Sequence, residues 1–166
     1  SPDCINVMEI RKIDHTSSEL LDGPMPEQSE LVAKIQKLHI FFSLLIPDLS
    51  NEERQLLDEA IVTTYRNKGI TYDNASLDNP AHPSQYREMP ILGDLHAVLS
   101  VAPETRRIAN ILNRLVHGSA SSFNRQTNVN LDNSYVVIDI SELSGDLLTV
   151  GMYIGLDYMW DKAKED

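Results

Sequence analysis

Leu31, Ile35, Leu38, Phe42 and Leu45 follow one another at steps of four, three, four and three residues. That period belongs to the apolar stripe of an α-helix, and it commits this part of the chain to helical packing. Ile40, Phe41 and Leu44 widen the stripe, so the end of the helix is expected to be buried on nearly every side, with Pro47 stopping it.

The same grammar repeats downstream. Ser50-Asn51-Glu52-Glu53 reads as a capping box, opening a helix that turns Leu56, Leu57, Ala60, Ile61 and Tyr65 inward and closes at Asn67-Lys68-Gly69. A polar connection from Ile70 to Glu88 follows, holding Pro80 and Pro83. Pro90 is placed in the first turn of a short helix through Leu92, Leu95 and Leu99. Pro103-Glu104 starts another with Ile108, Ile111, Leu112, Leu115 and Val116 facing in, and Gly118 closes it. Residues 29–118 therefore read as a four-helix unit.

The flanks have a different texture. Ile5-Asn6-Val7-Met8-Glu9-Ile10 alternates like a half-buried strand, and residues 11–28 read as loop. Beyond Gly118 the chain turns to Ser, Asn and Thr as far as Ser134. Tyr135-Val136-Val137-Ile138-Asp139-Ile140 then reads as a strand covered on both faces. Ser144-Gly145-Asp146 precedes a last helix that is apolar on almost every side. A buried strand followed by a buried helix belongs in an α/β layer, for which this chain has too few strands. With Ser1-Pro2-Asp3 at one end and Lys162-Ala163-Lys164-Glu165-Asp166 at the other, both edges read as cut from a longer protein. The expected fold class is mainly α within α+β.

Composition narrows the function classes. The 166 residues, 42% of them apolar, suffice to bury roughly 70% of the unfolded surface and exclude whole-chain disorder. Twenty-five acidic against 14 basic side chains leave a net charge of −11, which argues against a nucleic-acid or anionic-membrane surface. A single cysteine, Cys4, excludes an internal disulfide and a thiolate zinc cluster, and points to a reducing, cytosolic setting. The longest apolar stretch, Leu147 to Trp160, is interrupted by Asp157 and falls short of the roughly 20 residues of a membrane span.

No catalytic constellation emerges from the residues. Tyr135 to Asp139 mimics a magnesium-holding strand, but reads more simply as a core strand ending in a polar residue, since no Gly-x-x-x-x-Gly-Lys-Ser/Thr loop accompanies it. Gly118-Ser119-Ala120-Ser121-Ser122 follows a helix instead of opening one, so it offers an anion no helix N-terminus. His15, His39, His82, His96 and His117 are dispersed, without the i, i+4 pairing of a metal site. Cys4 reads as a small buried apolar residue. Arg106-Arg107 reads as a solvated face or as an arginine finger acting on a neighbouring subunit.

Two stretches go beyond pattern. Phe41-Phe42-Ser43-Leu44-Leu45-Ile46-Pro47-Asp48-Leu49-Ser50 leads into Glu52-Glu53 and runs on to Ala60-Ile61, Tyr65 and Gly69-Ile70-Thr71. Met89-Pro90-Ile91-Leu92-Gly93-Asp94-Leu95 is followed by Gly118-Ser119, Phe123-Asn124 and Thr127-Asn128-Val129. Over nearly the whole chain this order resembles the large conjugative-transfer ATPase of type IV secretion systems, the fourth VirB component, in its Gram-positive conjugative-transposon form.

The resemblance implies an all-helical subdomain (29–118) inserted in a RecA-like α/β core, with residues 1–28 leaving that core and 119–166 returning to it. It implies ATP and magnesium in the parent protein, held outside this segment, and no catalytic, cofactor-binding or metal residue within it. It implies work at the cytoplasmic membrane face to drive pilus or channel assembly and DNA transfer. Its partners would be the rest of the core, other secretion-channel proteins and further copies of the parent, with no nucleic acid bound directly here. The alternative is a self-contained helical adaptor that docks a protein through Phe41-Phe42 or the last helix.

Overall fold

The computed structural model describes residues 4–12, 28–118, 120–128, 143 and 145–165. Five α-helices are present among them: α1 (Glu30–Leu45), α2 (Asn51–Arg66), α3 (Leu92–Leu99), α4 (Arg106–Val116) and α5 (Gly145–Glu165). They stack so that α4 lies on α3, α3 on α2 and α2 on α1, while α5 covers another side of α1. One apolar core runs through the stack, from Ile5 through Leu38, Leu57, Leu95 and Leu112 to Tyr158.

Local chemistry explains the helix ends. Ser29 caps α1 by accepting from the Val32 amide. At α2, Ser50 Oγ accepts from the Glu53 amide at 3.0 Å and Glu53 Oε1 from the Ser50 amide at 3.1 Å, which completes the expected capping box. Gly69 ends that region at φ +83°, a left-handed conformation that other residues adopt only with strain. Gly118 follows α4 for a different reason: a Cβ there would sit 2.6 Å from the Arg114 carbonyl oxygen. The Arg106–Val116 helix is preceded by a 3₁₀ turn at Pro103–Thr105, as the proline suggested.

Four expectations change. Residues 5–10 do not form a strand: among the described residues no strand is present, only an isolated antiparallel bridge between Asp78 and Tyr86. Ile5, Asn6, Val7, Met8 and Ile10 are all buried, with a turn closed by the Glu9 amide on the Asn6 carbonyl at 3.1 Å, so the alternation does not separate an inner from an outer face. The end of α1 is not covered on every side, since Ile40 stays 50% exposed while Phe41 and Phe42 are buried. Pro90 lies ahead of α3, whose N-cap is Ile91, because its carbonyl is taken by the Asn6 side chain. The 70–88 connection is partly structured, with a 3₁₀ turn at Asn74–Leu77 that buries Leu77. The expected strand at 135–140, with Asp139, lies outside the described residues, as do His15 and Ser119.

Candidate functional site

The place where the chain passes into and out of the helical stack is a polar clasp. Cys4 donates its amide to Asn128 Oδ1 at 2.6 Å, and the Asn128 amide returns to the Cys4 carbonyl at 3.2 Å. The Asn6 amide reaches Thr127 Oγ1 at 3.0 Å, and Thr127 Oγ1 donates onward to Glu9 Oε1 at 3.0 Å. Asn6 itself is fully buried and divides its side-chain amide between the Pro90 carbonyl at 2.8 Å and Gln126 Oε1 at 3.2 Å. Gln126 Nε2 donates to the Met89 carbonyl at 2.7 Å, and the Gly93 amide to Asn124 Oδ1. The Tyr65 hydroxyl, fully buried, donates to the Met8 carbonyl, and burial pushes its pKa up.

Met89-Pro90, Gly93, Asn124, Thr127 and Asn128 belong to the second group of residues behind the family resemblance. The fold brings them together. Here side chains satisfy backbone groups that a sheet would otherwise pair, so the N-terminal segment is held without a ladder.

Beside the clasp lies a charged cluster that no sequence motif announced. Arg11 donates Nε and Nη2 to Asp161 Oδ2 at 2.9 and 2.7 Å, and Nη2 to Asp157 Oδ2 at 3.0 Å. Lys37 Nζ approaches Asp157 Oδ1 at 2.9 Å and Asp161 Oδ1 at 3.5 Å. The Arg11 guanidinium also lies 5.1 Å over the Tyr158 ring. Lys34 is buried among these charges, and its pKa falls to about 7 through burial first and the Arg11 charge second. Burial alone would raise the Asp157 pKa; the Lys37 hydrogen bond and the neighbouring cations instead hold it below the usual carboxylate range. Lys34 and Lys37 stand three apart and Asp157 and Asp161 four apart, spacings that put each pair on one helix face. That signal was readable; which face met which was not.

A groove of about 540 Å³ opens next to the cluster, lined by Glu9, Lys12, Arg87, Gln126, Tyr158 and Lys162 among others. The cavities inside the cluster itself are only about 20 and 40 Å³, the size of water.

The other sequence candidates are dispersed. His39 pairs with Asp58 at 2.8 Å, and His82 is exposed. His96 and His117, distant in sequence, meet edge to face at 5.7 Å, and burial followed by the His117 charge lowers the His96 pKa. Cys4 is buried. Arg106 and Arg107 are both exposed, and Arg107 bridges Asp48 and Glu53, tying the α1–α2 connection and the start of α2 to α4. Ser121–Phe123 is a single 3₁₀ turn packed on α4. Among the described residues no group of three His, Cys, Asp or Glu is placed to hold a metal ion, and no helix is long and apolar enough to cross a membrane.

A mainly helical stack whose N-terminal segment is hydrogen-bonded to the segment that follows α4 is the class this fold defines. No family model matches the sequence, and no curated protein matches it. Among solved structures the fold is similar to part of VirB4 of Thermoanaerobacter pseudethanolicus, with a TM-score of 0.74 and 24% identity, over 97% of this chain. The resemblance to the type IV secretion ATPases thus extends to the fold. The chain spans 60% of that VirB4 chain.

Proposed function

We propose that this chain is the part of a type IV secretion ATPase that carries its helical subdomain, serving conjugative DNA transfer as a lid or interaction surface moved by the nucleotide state of the core. The observation that supports this reading most is the fold likeness over 97% of the chain. In this reading residues 29–118 are the inserted helical unit, and residues 1–28 and 119–166 connect it to the core. The clasp then has a mechanical role. It pins the two connecting segments together at Cys4, Asn6, Thr127 and Asn128, so the helical stack moves as a body when the core changes shape.

ATP and magnesium would be held outside these residues. The sequence has no Gly-x-x-x-x-Gly-Lys-Ser/Thr loop, so no residue here fits the phosphates and no catalytic step is assigned to the chain. Location at the cytoplasmic face of the membrane and contact with other channel proteins belong to the same proposal. The adaptor reading loses one of its two docking surfaces, because Phe41 and Phe42 are 1% and 0% exposed.

The test is the coding sequence on either side. A phosphate loop upstream and an apolar strand ending in Asp-Glu downstream support the ATPase reading. An open reading frame bounded at Ser1 and Asp166 overturns it.

A further inference from the structure

Helix α5 packs its inner face, Leu147, Val150, Ile154 and Tyr158, into the core. Its outer face carries Leu148, Met152, Leu156, Met159 and Trp160, which are 37, 50, 63, 53 and 64% exposed. Residues 148, 152, 156 and 160 form one ridge of i, i+4 steps, about 18 Å long at 1.5 Å per residue. Four apolar side chains aligned in one ridge differ from single scattered apolar residues, which need no explanation.

The ridge is symmetric end to end. Leu148 and Trp160 stand equally far from position 154, and so do Met152 and Leu156. A copy of the helix laid antiparallel therefore sets Leu148 against Trp160 and Met152 against Leu156. The flanking charges obey the same symmetry. Asp146 and Lys164 are separated by about five full helical turns, which puts them on the same flank of the ridge. A twofold axis normal to the plane of the two helices keeps the flank and reverses the height. It brings Asp146 of one copy within about 3 Å, along the helix axis, of Lys164 of the other. Asp146 already meets Arg114 and its side chain is still 64% exposed; Lys164 lies 5.6 Å over the Trp160 ring at the edge of the ridge.

We propose that the outer face of α5 is a twofold interface on which a second copy of this chain docks antiparallel, Leu148, Met152, Leu156 and Trp160 forming its apolar seam and Asp146–Lys164 pairs closing both ends. The pairing is proposed for the 166-residue chain by itself; in the ATPase reading α5 lies in the segment that connects to the core, whose sheet is the competing occupant of the ridge.

Sedimentation equilibrium of the 166-residue chain at 150 mM salt tests it. The expected result is a reversible monomer–dimer equilibrium with no larger species. Leu156→Asp and Met152→Lys, at exposed positions, should each give a monomer with an unchanged far-ultraviolet spectrum. Asp146→Lys and Lys164→Asp should each weaken the dimer by about threefold, and the double exchange should restore it. A monomer at all concentrations, open-ended aggregation, or a dimer that survives Leu156→Asp overturns the proposal. The first two outcomes would assign the ridge to another surface, such as a sheet of a larger core.

Discussion

Arg11 reaches from the N-terminal segment to Asp161 near the end of α5, with Nη2 2.7 Å from Oδ2 across 150 positions of sequence. The contact joins the first described segment to the last described helix, and both side chains are largely withdrawn from water, at 10 and 6% exposure. Replacing Arg11 by Met should therefore leave Asp157 and Asp161 facing Lys37 and Lys34 in a poorly solvated site. The expected loss is about 3 kcal/mol in denaturant unfolding, much larger than for an exposed pair. A loss below that of Lys68→Ala, whose partner Glu88 is exposed, would show that the cluster does not hold α5.

Lys34 makes stability depend on pH in a defined direction. Its pKa is about 7 in the folded chain against 10.5 when unfolded, so between those values the unfolded chain binds the extra proton. The Lys34 penalty is therefore full below pH 7 and disappears as the pH rises towards 10.5. Lys34→Met should be more stable than the parent sequence at pH 7. The difference should shrink at up to roughly 1.4 kcal/mol per pH unit above it. Parallel pH–stability curves for the two chains would contradict this.

Asn6→Leu should open the clasp. The substitution keeps a side chain of similar size but removes the donors to the Pro90 carbonyl and Gln126 and the acceptor of the Met8 amide. Orphaning these buried groups should cost about 1–3 kcal/mol. Amide hydrogen exchange should speed up at Cys4, Asn6 and Asn128 before it does in α2 or α4. Uniform acceleration across the chain would mean that the clasp has no local role.

The purified chain should neither bind ATP tightly nor turn it over, because no phosphate loop is present to supply backbone amides and a lysine. Calorimetric titration with Mg-ATP and a phosphate-release assay check this. Magnesium-dependent turnover above a mock preparation would refute it.

Duplex and single-stranded DNA should not be shifted at physiological salt, given the net charge of −11. Lys12, Arg87 and Lys162 do share the groove beside the clasp, so Lys12→Glu is the control to run if binding appears. Micromolar binding that falls steeply with salt and is lost in that variant would reveal a basic patch strong enough to overcome the overall charge.

Much of the fold was legible because its causes are local. A period of 3.6, a serine with glutamate three residues on, and a glycine or proline at the right offset each act within a turn or two. Ser50–Glu53, Gly69 and the inward faces of α1, α2 and α4 follow from them. The 5–10 segment misled for the complementary reason. Alternation makes a strand only when a neighbour offers a ladder, and here the amides of Cys4 and Asn6 find the side chains of Asn128 and Thr127. The histidines are dispersed in sequence, yet the fold sets His96 against His117.

By itself the sequence determined the positions of the helices, the Ser50–Glu53 and Gly69 ends of α2, the main inward stripes of α1, α2 and α4, the net negative charge and the absence of a phosphate loop, since each depends on residue type and short spacing. Only the tertiary structure decided that Arg11, Lys34 and Lys37 meet Asp157 and Asp161, that Asn6 is the buried centre of the clasp, and that α5 hides one apolar face while leaving the other in water. Those outcomes depend on which helix faces which across more than a hundred residues, where closure entropy and competing contacts select the partner and local pattern carries no trace of it.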